Sequence, residues 1–137
     1  MTSIQVTERL AFPVEAMWAL IGDFGGIHRW HPQVCRLDLS WQGRIRTLHY
    51  TSGARVVERL EARNDRAHRY AYVMVDGWRQ VQACRSTLQA RADGEHCLVT
   101  WSCEFDAVGA HGIRVEAEMR EFFRSGLDAL AGALGDA

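Results

Sequence analysis

The chain has 137 residues, a net charge of −1 and 47% hydrophobic residues, and this size predicts one globular domain over residues 1–137 with a substantial core. The near-zero net charge gives no indication of a nucleic-acid partner. No apolar run approaches the length that spans a bilayer, so we expect a cytoplasmic protein without membrane insertion or a signal peptide. All 16 basic residues are arginine, which excludes Schiff-base catalysis through a lysine amine.

The first thirty residues predict one strand followed by two short helices. Residues 3–10 alternate apolar and polar side chains, as a half-buried strand does. Pro13 suits the first position of a helix, because its missing N–H group has no partner there in any case, and Gly22 ends that helix. A second, very short helix is expected over residues 25–30, and Pro32 ends it.

The middle of the chain predicts an antiparallel meander. Six segments with strand-like alternation are separated by short turns about every ten residues, a pattern typical of hairpin-linked strands. A sheet of about seven strands twists strongly and curls. The six predicted strands cover residues 35–41, 44–51, 55–62, 69–75, 81–92 and 96–105.

The last quarter of the chain predicts one long helix over residues 113–134. Its apolar residues recur at the spacing of one helix face, and such a broad face needs a sheet to pack against. Gly126 costs about 1 kcal/mol relative to alanine inside a helix, so we expect another part of the backbone or core to approach closely there. The apolar face consists of Met119, Phe122, Phe123, Gly126, Leu127, Leu130 and Leu134.

Cysteine and histidine usage indicates no metal centre. None of the four cysteines has C-x-x-C spacing, so buried reduced thiols are expected, with a catalytic or metal-binding thiol as the alternative. His28 and His31 are three residues apart, but no third ligand follows at a spacing suited to zinc. The cysteines are Cys35, Cys84, Cys97 and Cys103.

The order of these elements and several short motifs together carry a family resemblance. The motifs are Trp30-His31-Pro32, Gly43-x-x-Arg46, Glu58-Arg59-Leu60 followed by Asp65, Tyr70-x-Tyr72, Thr100-Trp101-Ser102 with Phe105, and Gly126-Leu127-Asp128-x-Leu130. On these residues the chain resembles bacterial polyketide cyclase/dehydratase-like proteins of the START-like, helix-grip (SRPBCC) superfamily, which includes the birch-pollen allergen. The resemblance covers essentially the whole chain. It implies an α+β fold in which a curved antiparallel sheet wraps around the C-terminal helix and encloses a ligand cavity.

The charged residues Arg46 and Glu58 are predicted to face each other inside this fold. Alternation places both on inward faces of neighbouring strands, and a turn centred on residue 52 pairs position 46 with position 58. A charged pair in an apolar interior is costly unless its groups are satisfied. One interpretation is a buried ion pair that ties two strands together. The other is that Glu58 acts as a general acid or base while Arg46 binds an oxyanion or carboxylate.

Tyrosine and tryptophan residues complete the candidate site. Tyr70, Tyr72 and Met74 share an inward face, and Trp101 points inward on the last strand. The tyrosine hydroxyls either make single hydrogen bonds in the core or donate to a substrate carbonyl or enolate. Tyr50 sits at a strand end and could be exposed.

Three other groups could border the cavity. Trp30 and His31 could form its mouth, or could serve a packing or capping role. The helix residues Met119 and Phe123 are core residues that would also form a cavity wall. Trp41 and Trp78 flank turns, where they would line the opening or cover sheet edges.

We therefore expect the protein to bind a hydrophobic small molecule, aromatic or polyketide-like, in the implied cavity. The leading hypothesis is cyclase/dehydratase chemistry in secondary metabolism, with Glu58, Arg46 and Tyr72 as catalytic groups. Such chemistry needs no cofactor, because the β-carbonyl groups already acidify the reacting carbon. The alternative is a non-catalytic carrier or sensor of a lipid-like or aromatic ligand. An exposed edge strand could also pair two copies into a homodimer.

Overall fold

The secondary structure follows the predicted order. The computed structural model describes residues 1–109 and 112–135. Its strands are β1 (Thr2–Leu10), β2 (Val34–Ser40), β3 (Ile45–Tyr50), β4 (Arg55–Asn64), β5 (Arg69–Asp76), β6 (Val81–Asp93) and β7 (His96–Ala107). The helices are α1 (Val14–Ile21) and α2 (Gly112–Gly135), with short 3₁₀ turns at Ile27–Arg29 and Trp41–Gly43.

All seven strands form one sheet in the order β1-β7-β6-β5-β4-β3-β2. Strands β2 to β7 form the predicted meander, in which each strand pairs antiparallel with the next. β1 pairs antiparallel with β7, with Val6 opposite Trp101. The predicted architecture of a curved antiparallel sheet and a long C-terminal helix is therefore confirmed, and β1 and β2 are the two edges of the sheet.

Helix α2 packs its apolar stripe onto the sheet, as its spacing predicts. Leu127 and Leu130 are fully buried, and the exposed side of the helix carries ion pairs such as Arg120 with Glu116. In the two ranges that the structure describes, no helix is both long and apolar enough to cross a membrane. The buried residues of α2 are Val115, Met119, Phe123, Gly126, Leu127 and Leu130.

The predicted second short helix is reduced to a single 3₁₀ turn, Ile27–Arg29. Gly25 and Gly26 precede it, and glycine disfavours a regular helix. Pro32 follows and restricts the residue before it to extended conformations. Ile27 is nevertheless fully buried, so this turn closes one end of the core with an apolar side chain.

Gly126 permits a very close contact between α2 and the core, as predicted. A Cβ atom at this position would lie 2.5 Å from Cδ2 of His31 and 3.0 Å from the Trp101 ring. Neither distance leaves room for a methyl group. The glycine therefore sets how near the helix can approach the sheet.

We predict that two glycine-to-alanine changes in the same helix have opposite effects on stability. Gly132→Ala adds a Cβ with no neighbour within 4 Å, so it should stabilise the fold by up to about 1 kcal/mol through helix propensity. Gly126→Ala gains the same propensity but overpacks the core, so it should destabilise by about 1–3 kcal/mol. Urea denaturation at neutral pH measures both. Equal effects of the two changes would contradict the close contact.

Candidate functional site

A cavity of about 430 Å³ lies between the sheet and α2. This volume is within the range of roughly 300–1,000 Å³ that is usual for small-molecule sites. Most of its wall is apolar or aromatic, with a few polar groups among the apolar ones. The lining residues are Gln33, Tyr50, Ala54, Arg55, Val56, Glu58, Tyr72, Met74, Gly77, Trp78, Cys84, Ser86, Glu118, Met119, Phe122 and Phe123.

The sheet places three polar side chains together on the inner wall. Tyr72 on β5 lies opposite Ser86 on β6, and Glu58 on β4 lies opposite Met74 on β5. Because successive side chains alternate between the two faces of a strand, all of these residues point towards α2. The three strands thus supply a carboxyl group and two hydroxyl groups to one side of a mostly apolar cavity.

Arg46 and Glu58 form a buried ion pair directly behind this wall. They lie opposite each other on β3 and β4, as the predicted register requires. Arg46 Nε donates a hydrogen bond to Glu58 Oε1 at 2.8 Å, and Arg46 Nη2 is also 2.8 Å from that oxygen. Arg46 Nη1 donates to the carbonyl oxygen of Phe24 at 3.0 Å and to the hydroxyl of Tyr70 at 3.4 Å.

Aromatic rings hold the guanidinium group of Arg46 on its remaining sides. Its Cζ atom is 4.1 Å from the ring centroid of Phe24 and 4.6 Å from that of Tyr72. Cation–π contacts of this kind are strongest where water is excluded, and Arg46 is completely buried. A guanidinium stays protonated in proteins, so the pair contains one permanent positive charge.

The geometry leaves one oxygen of Glu58 free. Both arginine contacts go to Oε1, and no described residue donates a hydrogen bond to Oε2. The side chain is 11% exposed, and it lines the cavity. Burial raises the pKa of Glu58, and Arg46 offsets that shift only in part. The carboxyl group can therefore exchange a proton with a molecule in the cavity.

The two tyrosines occupy different places. Tyr72 lines the cavity and accepts a hydrogen bond from Trp101 Nε1 at 3.0 Å. Burial raises the pKa of Tyr72 well above its usual value, so its hydroxyl keeps its proton and can donate it in a hydrogen bond. Tyr70 is fully buried against Arg46, and it lies behind the wall.

The predicted pair at the cavity mouth, Trp30 and His31, lies in the core instead. Both residues are almost fully buried, and neither lines the cavity. His31 Nε2 donates to the carbonyl oxygen of Phe122 at 2.7 Å, and His31 Nδ1 accepts from the backbone N–H of Gln33 at 3.2 Å. The ring also stacks on Phe122 at 4.0 Å between centroids. These contacts keep His31 in the core and connect α2 to the loop before β2.

The candidate residues thus separate into two layers. Five line the cavity: Glu58, Tyr72, Met74, Met119 and Phe123. The other five stand behind the wall or in the core: Arg46, Tyr70, Trp101, Trp30 and His31. Trp78 lines the cavity, whereas Trp41, in the 3₁₀ turn between β2 and β3, is 76% exposed and does not line it.

Sequence reasoning missed several lining residues. Ser86 and Cys84 could have been found, because they alternate in phase with the buried Leu88 on β6. Tyr50, whose position at a strand end allows exposure, is half-buried, and its ring stacks on Phe122 with 5.2 Å between ring centroids. That contact joins a strand end to a helix far along the chain, so no local pattern indicates it.

The cysteines agree in part with expectation. Cys84, Cys97 and Cys103 are buried, but Cys35, at a β-bulge in edge strand β2, is exposed. Cys103 Sγ donates to Met119 Sδ at 2.9 Å across the gap between β7 and α2. Within the described ranges, no three side chains of His, Cys, Asp or Glu are grouped to hold a metal ion.

A curved sheet that grips a long helix around an apolar cavity defines the helix-grip class of proteins. The family model described as "Polyketide cyclase / dehydrase and lipid transport" matches residues 1–135, so the chain belongs to this family. The family expected from the sequence motifs is thereby confirmed. No curated protein matches the sequence at a significant level.

Solved structures share the fold over nearly the whole chain. XoxI from Bacillus cereus is 29% identical, with a TM-score of 0.94 over 99% of this chain and 97% of its own. A Thermobifida fusca protein is 31% identical, with a TM-score of 0.86 over 99% and 95%. Norcoclaurine synthase from Thalictrum flavum is 14% identical, with a TM-score of 0.78 over 98% and 87%, and shows similarity of fold alone.

We predict that His31 makes the fold sensitive to acid. Burial lowers the pKa of His31 from 6.5 to about 4, so the folded state resists a proton that the unfolded chain accepts. The stabilising effect is complete above pH 6.5 and is lost as the pH falls towards 4, by about 3 kcal/mol in total. The difference in unfolding free energy between wild type and His31→Gln, measured by urea denaturation, should therefore decrease as the pH falls from 6.5 to 4. His96→Gln, at the start of β7, is the control, and a constant difference in unfolding free energy between wild type and His31→Gln would refute the prediction.

Proposed function

We propose that the protein binds an apolar, carbonyl-containing small molecule and catalyses cyclase/dehydratase-type proton transfer with Glu58. One observation carries this proposal: Oε1 of Glu58 is held by Arg46 while Oε2 is free beside an apolar cavity. A general base must be fixed in position and must have an oxygen open to the substrate. The buried carboxyl group meets both conditions.

The residues around Glu58 suit carbon-acid chemistry. A carbon between two carbonyl groups loses a proton to Oε2 and becomes an enolate, while the Tyr72 hydroxyl donates a hydrogen bond to the enolate oxygen. The enolate carbon attacks a second carbonyl and closes a ring. The protonated Glu58 returns its proton to the alkoxide that this attack leaves, which gives a β-hydroxy ketone. The Glu58 carboxylate then removes the remaining proton from the same carbon and delivers it to the hydroxyl group, which leaves as water as the carbon–carbon double bond forms. Arg46 positions Glu58 throughout and does not touch the substrate.

The wall composition favours an aromatic or polyketide-like substrate. Met74, Met119 and Phe123 offer polarisable apolar surfaces close to the polar groups of Glu58, Tyr72 and Ser86. Thioethers and aromatic rings adapt to planar unsaturated ligands. Norcoclaurine synthase has been solved with dopamine and hydroxybenzaldehyde, so this fold can hold aromatic molecules.

A second candidate is a carrier that binds without chemistry. It is favoured by the ion pair itself, because Glu58 is already satisfied by Arg46 in the absence of a substrate. It also agrees with the lipid transport named in the family description. A carrier would bind an apolar ligand saturably and release it unchanged.

The decisive prediction concerns Glu58→Gln, which keeps the shape but removes the base. We expect the cyclisation rate of a linear poly-β-ketone, followed by absorbance of the aromatic product, to fall by about 10²–10⁴-fold. Glu61→Gln is the matched control, since Glu61 is on the same strand and pairs with Arg85 on the outer face. An unchanged rate in Glu58→Gln, with folding intact, would exclude the catalytic role.

We also predict a characteristic pH dependence. Because burial raises the pKa of Glu58, kcat/KM should increase with pH through an apparent pKa above that of an ordinary glutamate. The rise occurs because only the ionised carboxylate can accept the substrate proton. Residual turnover by Glu58→Gln should lack this step, and a variant that keeps it would contradict the assignment.

Binding separates the two candidate functions. Fluorescence of the neutral probe N-phenyl-1-naphthylamine should rise saturably with wild-type protein, and Ser86→Trp, which fills the cavity, should abolish the rise. Saturable binding together with turnover of the poly-β-ketone supports the enzyme. Saturable binding with no turnover by the wild type supports the carrier instead.

A further inference from the structure

The sheet has two edges, and they differ in how well they are covered. α2 packs along β1, and Arg124 on the helix pairs with Glu8 on that strand. No backbone hydrogen bond joins residues 35–40 of β2 to anything except β3 within the described ranges. The outer edge of β2 therefore presents unpaired N–H and C=O groups, which are a template for another strand.

This open edge also exposes apolar surface. Leu39 on β2 is 52% exposed, and Trp41 directly after it is 76% exposed. On β1, by contrast, Ile4, Val6 and Leu10 are buried. Exposed large apolar side chains beside an unpaired edge mark a contact site more strongly than either feature alone.

Strand geometry restricts how two copies of β2 can pair. Residues directly opposite in an antiparallel pair must lie on the same face of the sheet. A twofold axis between two copies of β2 therefore places one residue opposite its own copy. An axis at residue 36 would place two arginines opposite each other, and an axis at residue 38 would place two aspartates opposite each other. An axis at Leu37 instead places Arg36 opposite the partner's Asp38. The twofold symmetry also places Asp38 opposite the partner's Arg36, so two opposite-charge pairs form.

The Leu37-centred register also covers the exposed leucine. Leu37, which pairs with Leu48 on the inner face, would lie opposite its own copy. Leu39 is on the same face and would lie near the partner's Cys35, where a β-bulge interrupts β2. Arg36 and Asp38 lie on the outer face, where they are 66% and 60% exposed. Within one chain, Arg36 Nη2 is 3.5 Å from Asp38 Oδ2, which is a long ion pair. His49 Nε2 is 2.9 Å from the same oxygen. Charge and apolar contacts thus favour the same register.

From these observations we propose that a second copy of this chain docks on β2, through antiparallel β2–β2 pairing centred on Leu37. The two sheets become continuous across a twofold interface. The contact is a single pair of short strands, so it forms a weak, concentration-dependent dimer. This proposal is independent of the chemistry in the cavity.

Charge reversal tests the register. Sedimentation equilibrium of the wild type should show a monomer–dimer equilibrium. Arg36→Asp or Asp38→Arg alone should weaken it at least about tenfold, because each puts two like-charge pairs in place of two opposite-charge pairs. The double variant Arg36→Asp/Asp38→Arg restores both pairs and should recover the wild-type constant. Arg85→Asp is the control, since Arg85 is 60% exposed but lies on a central strand.

A crosslinking experiment tests the same register without relying on charge. In a Cys35→Ser background, Arg36→Cys protein mixed with Asp38→Cys protein should form an intermolecular disulfide, because opposite Cα atoms are about 4.5–5.5 Å apart. Either variant alone places its new thiol opposite a native side chain, so it should crosslink much less. Non-reducing electrophoresis and peptide mass spectrometry identify the bond.

The outcomes decide the proposal. Weakening by each single reversal, recovery in the double variant and selective crosslinking of the mixture together support it. A wild type that stays monomeric at its highest soluble concentration overturns it. So does a dimer that is indifferent to all three charge variants, since that dimer would use another surface. Thermal melting of each variant shows whether it is folded, and the crosslinking result stands if a charge variant is not.

Discussion

The ion pair between Arg46 and Glu58 is the interaction on which the site depends. Two charges in an apolar interior are stable only if each is well satisfied, and removing one partner leaves a costly unpaired charge. Here the guanidinium meets a carboxylate, a backbone carbonyl, a hydroxyl and two ring faces. Because these partners come from the loop after α1 and from β4 and β5, the pair fixes that part of the sheet against the first third of the chain.

A second constraint sets the width of the cavity. Gly126 allows α2 to approach His31 and Trp101, and the hydrogen bond from His31 to Phe122 holds the helix at that distance. Beyond this contact, Leu127 and Leu130 are fully buried. On the N-terminal side, Met119 and Phe123 face the cavity. One glycine therefore divides the helix into a part that packs in the core and a part that covers the site.

Features that follow from local periodicity were predictable from the sequence, whereas contacts between distant segments were not. Strand alternation and the turn at residue 52 give the pairing of Arg46 with Glu58, which the register confirms. Helical spacing gives the buried face of α2. The core position of His31 depends on Phe122, which lies 91 residues away. Alternation assigns a face but not a depth, so it could not show that Arg46 and Tyr70 lie behind the wall that Glu58 and Tyr72 form.

That difference in depth bears on the chemistry. The charge of Arg46 is permanent, whereas that of Glu58 changes when it takes a proton. A protonated Glu58 leaves the buried guanidinium without its counter-ion, so this state is costly and the proton is readily passed on. Burial acts in the opposite direction and favours the protonated acid. The two effects together bring the two protonation states of Glu58 closer in energy than they are in an exposed glutamate at neutral pH. In the proposed reaction Glu58 accepts a proton from a carbon and later delivers one to a leaving hydroxyl, and two protonation states of similar energy would serve both steps.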